Sequence, residues 1–372
     1  MKKRILFLIP NLAHGGAERV LVNLVNNLDK SRYDITVQTL FDLGINKHYL
    51  NPDIRYIGGW KRQPRGNSHF LKIFPPSLLY RILIREQYDV VVSYLEGPTA
   101  RIVSGCPNPE TKKICWIHIE LESKKLAAVG FRNSVEAETC YNQYDQIVAV
   151  ANSVLKCFSN SLNLSVPMRV LYNTNETEII RSASQRPPDD FRFAPEGGIS
   201  VCSVAKLAST KGFDRLINAH KRLLDEGFSH KIYIIGTGED EKTLKEEIAK
   251  RNIENSFLLL GFKENPYQYV SRCDLYVCSS RREGFSTAVT EALIVATPVV
   301  STNCSGAKEL LGDNNEYGIV VENSEDGIYE GMKQMLSDPE LLSHYKKQSK
   351  IRGGFFSRTA TVCAVEEMLD NL

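Results

Sequence analysis

Short apolar runs alternate with amphipathic segments along this whole chain, and that alternation leaves few folds open. Runs at 4–9, 34–40, 89–93, 113–117 and 146–150 read as strands, and several are apolar in succession, as in Leu6-Phe7-Leu8-Ile9, rather than at every second residue. A strand covered on one face alternates polar with apolar, whereas one covered on both faces does not. A second set at 199–204, 231–235, 257–260, 274–278, 298–301 and 318–321 repeats the pattern. The expected class is therefore α/β, with parallel, doubly wound sheets clothed by helices on both faces. At 372 residues the chain exceeds one ordinary core and suits two domains. The segment 181–198, rich in Pro, Ser, Asp and Gly, reads as a linker between a first domain at 1–180 and a second beginning at 199. Ligands in such sheets bind beyond the carboxyl ends of the strands, so a cleft between facing domains is the expected active site.

Bulk properties exclude several classes. A net charge of +2 argues against nucleic acid as a main partner. Nine cysteines lie scattered with no Cys-x-x-Cys pair, which suits buried, reduced thiols in a cytosolic protein. The seven histidines show no metal-ligand spacing, so no metal site is expected. The N-terminal apolar run, Ile5 to Ile9, is too short for a secretion signal and reads as a first strand. No run approaches the length of a membrane span.

The densest chemistry lies at 283–291, Glu-Gly-Phe-Ser-Thr-Ala-Val-Thr-Glu. It follows the strand at 274–278, which places Glu283 in a strand-end loop and Glu291 about two turns into the next helix. At the helical rise the two carboxylates stand roughly 12 Å apart. Between them Gly284 and the free amides of Phe285, Ser286 and Thr287 suit an anion such as a diphosphate. A nucleotide-sugar needs this set: one carboxylate for sugar hydroxyls and one for ribose hydroxyls. The same pair equally suits a helix preceded by an acidic residue and carrying one solvated glutamate.

Other strand-end loops hold candidates of the same kind. Gly15 and Gly16 follow the first strand and open a helix, where backbone can approach a phosphate or merely turn tightly. Lys206 and Lys211 follow the strand at 199–204; they can stabilise a departing diphosphate, or lie solvated on the surface. Gly236 opens the next such turn, and Leu260-Gly261-Phe262-Lys263 offers backbone to a base edge. His118 ends the run Ile114-Cys-Trp-Ile, poised for a substrate hydroxyl or for a structural bond. The segment 58–76 interleaves Lys61, Arg62, Arg65 and Lys72 with Trp60, Phe70 and Phe74, as an anionic membrane surface or an ordinary amphipathic helix requires.

Together these residues resemble the family 4 retaining glycosyltransferases of the GT-B fold, over essentially the whole chain. The resemblance rests on Gly-Gly-Ala-Glu-Arg at 15–19, Trp-Ile-His at 116–118, Ala-Lys-Leu-x3-Lys-Gly at 205–212, the Glu-x7-Glu pair, and 290–302. It implies two Rossmann-like domains facing across a cleft, donor-binding at 199–354, and a helix at 355–372 crossing back to brace the first domain. It implies catalytic roles for His118, Glu283, Lys206 and Lys211, with Glu283 on the sugar and both lysines on the diphosphate. Gly16, Gly236, Phe262, Gly284, Phe285, Ser286, Thr287 and Glu291 would bind the donor, Glu291 taking the ribose. Gly15 and Glu96, with the 58–76 segment, would meet the acceptor. The implied reaction moves a hexose, with retention and without metal or cofactor, from a UDP-sugar to a growing lipid-linked glycan. The enzyme would work in the cytoplasm at the inner membrane face. An epimerase or hydrolase acting on the donor alone, or a silent nucleotide-sugar-binding partner protein, stands as the alternative. One departure is notable: the family usually has Gly-Arg where this chain has Ala205-Lys206, which keeps the charge and loses the bidentate fork.

Overall fold

The computed structural model describes residues 2–13, 15–62, 67–188 and 198–372. The chain divides into two compact units, Met1–Asn175 with Arg358–Leu372, and Glu176–Ser357. Each is built on one sheet whose strands all run parallel.

In the first unit the strands are β1 (Lys3–Ile9), β2 (Tyr33–Thr39), β3 (Arg55–Ile57), β4 (Val90–Ser93), β5 (Lys112–Ile117), β6 (Gln146–Ala149) and β7 (Met168–Val170), ordered β3-β2-β1-β4-β5-β6-β7. Ile5 through Ile9 on β1 are all fully buried, as an apolar run covered on both faces must be. The last helix, Arg358–Asp370, belongs to this unit. Its Glu366 carboxylate accepts the Asp29 amide at 2.7 Å, and its Asp370 accepts the Tyr33 hydroxyl at 2.7 Å.

In the second unit the strands are β8 (Ile199–Val204), β9 (His230–Ile235), β10 (Phe257–Leu259), β11 (Leu275–Cys278), β12 (Val299–Thr302) and β13 (Ile319–Val321), ordered β10-β9-β8-β11-β12-β13. Val201, Ile232, Leu275, Val277 and Val300 form the middle of its core, with Leu216, Leu223 and Met332 covering from helices.

The sequence pattern missed β3 and β7, and the proposed linker starts too early. Residues 181–185 are the end of the helix Thr177–Gln185, held by the Asn265 side chain, which donates to the Ala183 carbonyl at 3.0 Å. The linker residues 189–197 lie outside the described residues, as does Arg65. The cysteines are all free thiols, but four are not buried: Cys106, Cys157 and Cys304 are half-buried and Cys363 is exposed. Among the described residues no helix is long and apolar enough to cross a membrane.

Candidate active site

In each sheet the strand order reverses once, between β1 and β4 and between β8 and β11. Loops leaving two strands at such a point diverge to opposite faces, which opens room for a ligand at their carboxyl ends. Most of the candidate residues sit on these four loops.

In the second unit the loop after β8 and the loop after β11 are bound to each other. Gly212 adopts φ 67°, and a Cβ there would lie 2.2 Å from the Ser279 carbonyl oxygen, so only glycine permits this approach. The Ser279 hydroxyl donates to the Lys211 carbonyl at 2.9 Å, and the Arg281 amide donates to the Thr210 carbonyl at 2.7 Å. The Arg281 guanidinium reaches the Ser209 carbonyl at 2.9 Å and grips Asp214 at 2.7 and 2.6 Å. These links bring Lys211 and Glu283 together, Nζ to Oε1 at 2.7 Å. The Ser280 hydroxyl donates to the same oxygen at 2.6 Å. The pair is 25 % and 14 % exposed, so water screens it less than a surface pair.

Lys206 does not join them. Its ammonium pairs with Glu239 at 2.7 Å, with both side chains well exposed, an arrangement that contributes roughly 0–1 kcal/mol and is easily displaced. Glu239 lies on the turn begun by Gly236, whose amide donates to the Gly261 carbonyl at 2.9 Å. That contact ties the turn to the loop bearing Phe262, whose ring is exposed.

The Glu-x7-Glu segment differs from the expected layout in one respect. The helix spans Thr287–Ile294, so Glu291 is its fifth residue, little more than one turn in. Gly284 to Ser286 form the approach, because Ser286 is the N-cap and its hydroxyl accepts the Val289 amide at 3.4 Å. The Phe285 ring turns inward against Phe356, centroids 5.8 Å apart, and anchors this approach to the end of the long helix Pro339–Phe355. Glu291 accepts the Tyr267 hydroxyl at 3.2 Å.

In the first unit Gly15 is the N-cap of the helix Gly16–Asn27, after β1. Glu96, after β4, accepts the backbone amide of His118, after β5, at 3.0 Å, and burial pushes its carboxyl pKa up. The His118 ring lies 4.9 Å from that of Tyr94 and is 7 % exposed. Burial pushes its pKa down to about 3, opposed by a hydrogen bond to the Tyr94 carbonyl. Its Nε2 is buried and has no hydrogen-bond partner among the described residues. The imidazole is thus neutral, and Nε2 is the ring atom left without a partner.

Sequence reasoning missed Ser280, Glu239 and Tyr267, the partners of Glu283, Lys206 and Glu291. Ser280 stands three residues before Glu283 and was within reach of inspection. Glu239 and Tyr267 meet their partners only through the fold and leave no local signal.

Residues 14–178 match the family described as Glycosyltransferase Family 4, and residues 187–352 match Glycosyl transferases group 1. The chain belongs to the family 4 glycosyltransferases. Among the relatives of this glycosyltransferase is the N-acetylgalactosamine-N,N'-diacetylbacillosaminyl-diphospho-undecaprenol 4-alpha-N-acetylgalactosaminyltransferase of Campylobacter jejuni. It is 28 % identical over 369 residues, covering 94 % of each chain. The amylovoran biosynthesis glycosyltransferase AmsD of Erwinia amylovora is 22 % identical and covers 92 % of each. Anabaena HepE, solved in complex with UDP-glucose, superposes with a TM-score of 0.79 at 18 % identity, over 99 % of this glycosyltransferase and all of that chain. The fold is GT-B.

Proposed function

We propose that this glycosyltransferase moves a hexose, with retention, from a UDP-sugar to a hydroxyl of a growing lipid-linked glycan. The observation that carries the reading is the Lys211–Glu283 pair at 2.7 Å, at the point where the second sheet reverses its strand order. A cation and an acceptor carboxylate side by side match the two halves of a nucleotide-sugar, diphosphate and sugar hydroxyls. Lys211 and the displaceable Lys206 balance charge on the leaving diphosphate, aided by amides of Gly284, Phe285, Ser286 and Thr287. Glu283 holds sugar hydroxyls, and Glu291, steadied by Tyr267, holds the ribose. Gly236 and Phe262 frame the base. In the step itself the bond from C1 to the phosphate oxygen breaks as the acceptor oxygen bonds C1 from the same face. The acceptor proton passes to the departing phosphate oxygen, leaving UDP. The protein contributes positioning and charge stabilisation.

The choice of UDP draws support from HepE, a GT-B protein captured with UDP-glucose, and the lipid-linked acceptor from the Campylobacter relative, named for a diphospho-undecaprenol substrate. The acceptor side of the proposal includes Gly15, Glu96 and the 58–76 segment. Phe70 and Ile73 there are exposed, beside Lys72. The last carbonyls of the helix Asn67–Ile73 and the residue after it are held rather than left to water. Buried Arg101 donates to the carbonyls of Leu71 and Phe74 at 2.9 and 2.8 Å, and Arg132 to those of Lys72 and Ile73 at 2.7 and 2.9 Å. An apolar and basic surface fixed in this way suits an anionic membrane face.

The test is turnover of UDP-hexoses with and without a polyprenyl-diphosphate-linked glycan. Acceptor-dependent release of UDP, with the anomeric configuration kept in the product, is the expected result. Rapid donor breakdown without acceptor, or inversion, would overturn it. His118 supplies a second check. His118→Ala is expected to lower turnover by about 10²-fold by removing a fixed hydroxyl acceptor. Because His118 stays neutral down to acid pH, the wild-type rate should show no inflection near 6.5 from this residue.

A further inference from the structure

Two thiols lie beside the Lys211–Glu283 pair and have no part in the chemistry above. Cys278 is the last residue of β11, and Cys304 follows β12 by two residues. The strands are adjacent, with Cys278 registered opposite Ser301. One hydroxyl spans the site: Thr302 Oγ1 lies 3.3 Å from the Cys278 carbonyl oxygen, 2.6 Å from that of Ser280, and 3.8 Å from Cys304 Sγ. The two thiols act on each other, Cys304 drawing the Cys278 pKa down and Cys278 pushing that of Cys304 up. Cys278 Sγ in turn lies 3.6 Å from the Ser280 hydroxyl, which is the group that donates to Glu283 at 2.6 Å. Cys278 is buried and Cys304 half-buried.

We propose that Cys278 and Cys304 form a reversible disulfide that switches off the donor site, an inference that rests on the donor-site reading above. The surroundings prepare the pair for oxidation, since the Cys304 thiol and the Ser280 backbone amide draw the Cys278 pKa down and favour its thiolate, the reactive form. The oxidant is a peroxide. A thiolate attacks the peroxide oxygen, the O–O bond breaks, and a sulfenic acid and hydroxide form. The neighbouring thiol attacks the sulfenic sulfur and expels its oxygen as water, while the hydroxide takes up the proton the first thiol gave up. Overall two thiols and one hydrogen peroxide give one disulfide and two waters. A dithiol reverses the bond by exchange.

The consequence reaches the donor loop by two paths. Bonding Cys278 to Cys304 removes the thiol proton that the Ser280 hydroxyl can accept, loosening the group that fixes Glu283. It also draws in the turn after β12, which already touches the donor loop. A Cβ built on Gly306 would lie 3.0 Å from the Gly284 carbonyl oxygen and 3.1 Å from the Phe285 ring, so this turn packs directly against Gly284 and Phe285.

The full chain is treated with hydrogen peroxide, alkylated, digested and mapped by mass spectrometry, with turnover assayed in parallel. The expected result is a Cys278–Cys304 cross-linked peptide and a loss of turnover on the order of tenfold or more, restored by dithiothreitol. Cys304→Ala, and Cys304→Ser should alanine fold poorly, are expected to keep basal turnover and resist peroxide. Absence of the cross-link when exposed Cys363 is oxidised would overturn the proposal. So would a cross-link that leaves turnover unchanged, or peroxide inactivation that persists in both Cys304 variants. Failure of the donor-site reading is distinguishable: untreated protein would then turn over no UDP-sugar, whatever the peptide map shows.

Discussion

Glu283→Ala is expected to lower kcat/KM for the UDP-sugar by about 10²–10³-fold while leaving the fold in place. The carboxylate accepts from Lys211 and Ser280 on one oxygen, at 2.7 and 2.6 Å, and those two bonds fix its orientation. Alanine removes the acceptor and leaves the Lys211 ammonium half-buried without its counter-charge, so diphosphate binding changes as well as sugar positioning. Glu283→Gln separates the contributions. The amide oxygen still accepts a sugar hydroxyl but carries no charge to set against Lys211, so turnover should recover only in part. A double-mutant cycle with Lys211→Met should be strongly non-additive, because the two side chains act as one unit. The stability cost is expected within about 1–3 kcal/mol, the range for leaving one hydrogen-bonded partner unmade. Turnover of Glu283→Ala equal to wild type, with the protein folded by circular dichroism, would remove Glu283 from the donor site.

How much of this site could be read beforehand follows from how its parts are encoded. The strands that carry it, β1, β4, β8 and β11, are central and largely buried, and β1, β4 and β11 are written as nearly continuous apolar runs. Strand β3, an edge strand of three residues, Arg55–Ile57, and strand β7, likewise at an edge, Met168–Val170, are only partly buried and carry charge, so their sequences lack that mark. The two reversal points were not legible, since strand order is decided by long-range packing. Once the order is known, the residues after those strands fall into place: Gly15, Glu96, Lys206, Lys211 and Glu283. The helix boundary at Thr287 was misjudged because Gly284 looked like its start. Ser286, a better cap than glycine, is what sets it. The pairing of Lys206 with Glu239 rather than with the donor loop depends on where the turn after β9 lands, and residue type alone does not say.

Acid should destabilise the second unit steeply, and two histidines remote from the donor loops are the reason. His220 and His230 are buried, with His220 Nδ1 2.7 Å from His230 Nε2 and His220 Nε2 2.9 Å from the Ser256 hydroxyl. His230 Nδ1 lies 3.3 Å from the Phe228 carbonyl oxygen. One proton arrangement satisfies these three contacts: His230 donates to Phe228, His220 donates to His230, and Ser256 donates to His220. Both rings are then neutral; protonating His230 sets its Nε2–H against the His220 Nδ1–H, and protonating His220 forces the Ser256 hydroxyl to turn from donor to acceptor. Burial pushes the pKa of His220 down to about 3 and that of His230 down to about 4, against 6.5 for the free side chain. Between those values the unfolded chain binds protons that the folded chain refuses. Stability is therefore full above 6.5, falls as pH drops, and levels off only below the folded pKa values. Each histidine contributes a slope of about 1.4 kcal/mol per pH unit, so the pair gives about 2–3 kcal/mol per unit in that window. Thermal unfolding followed from about pH 7.5 to about pH 5 should show it. His220→Leu removes one titrating ring but leaves His230 Nε2 unpaired, costing about 1–3 kcal/mol at neutral pH. The mutant should therefore begin less stable, fall with about half the slope, and converge on wild type in acid. Two parallel curves would mean that this histidine pair does not govern the acid response.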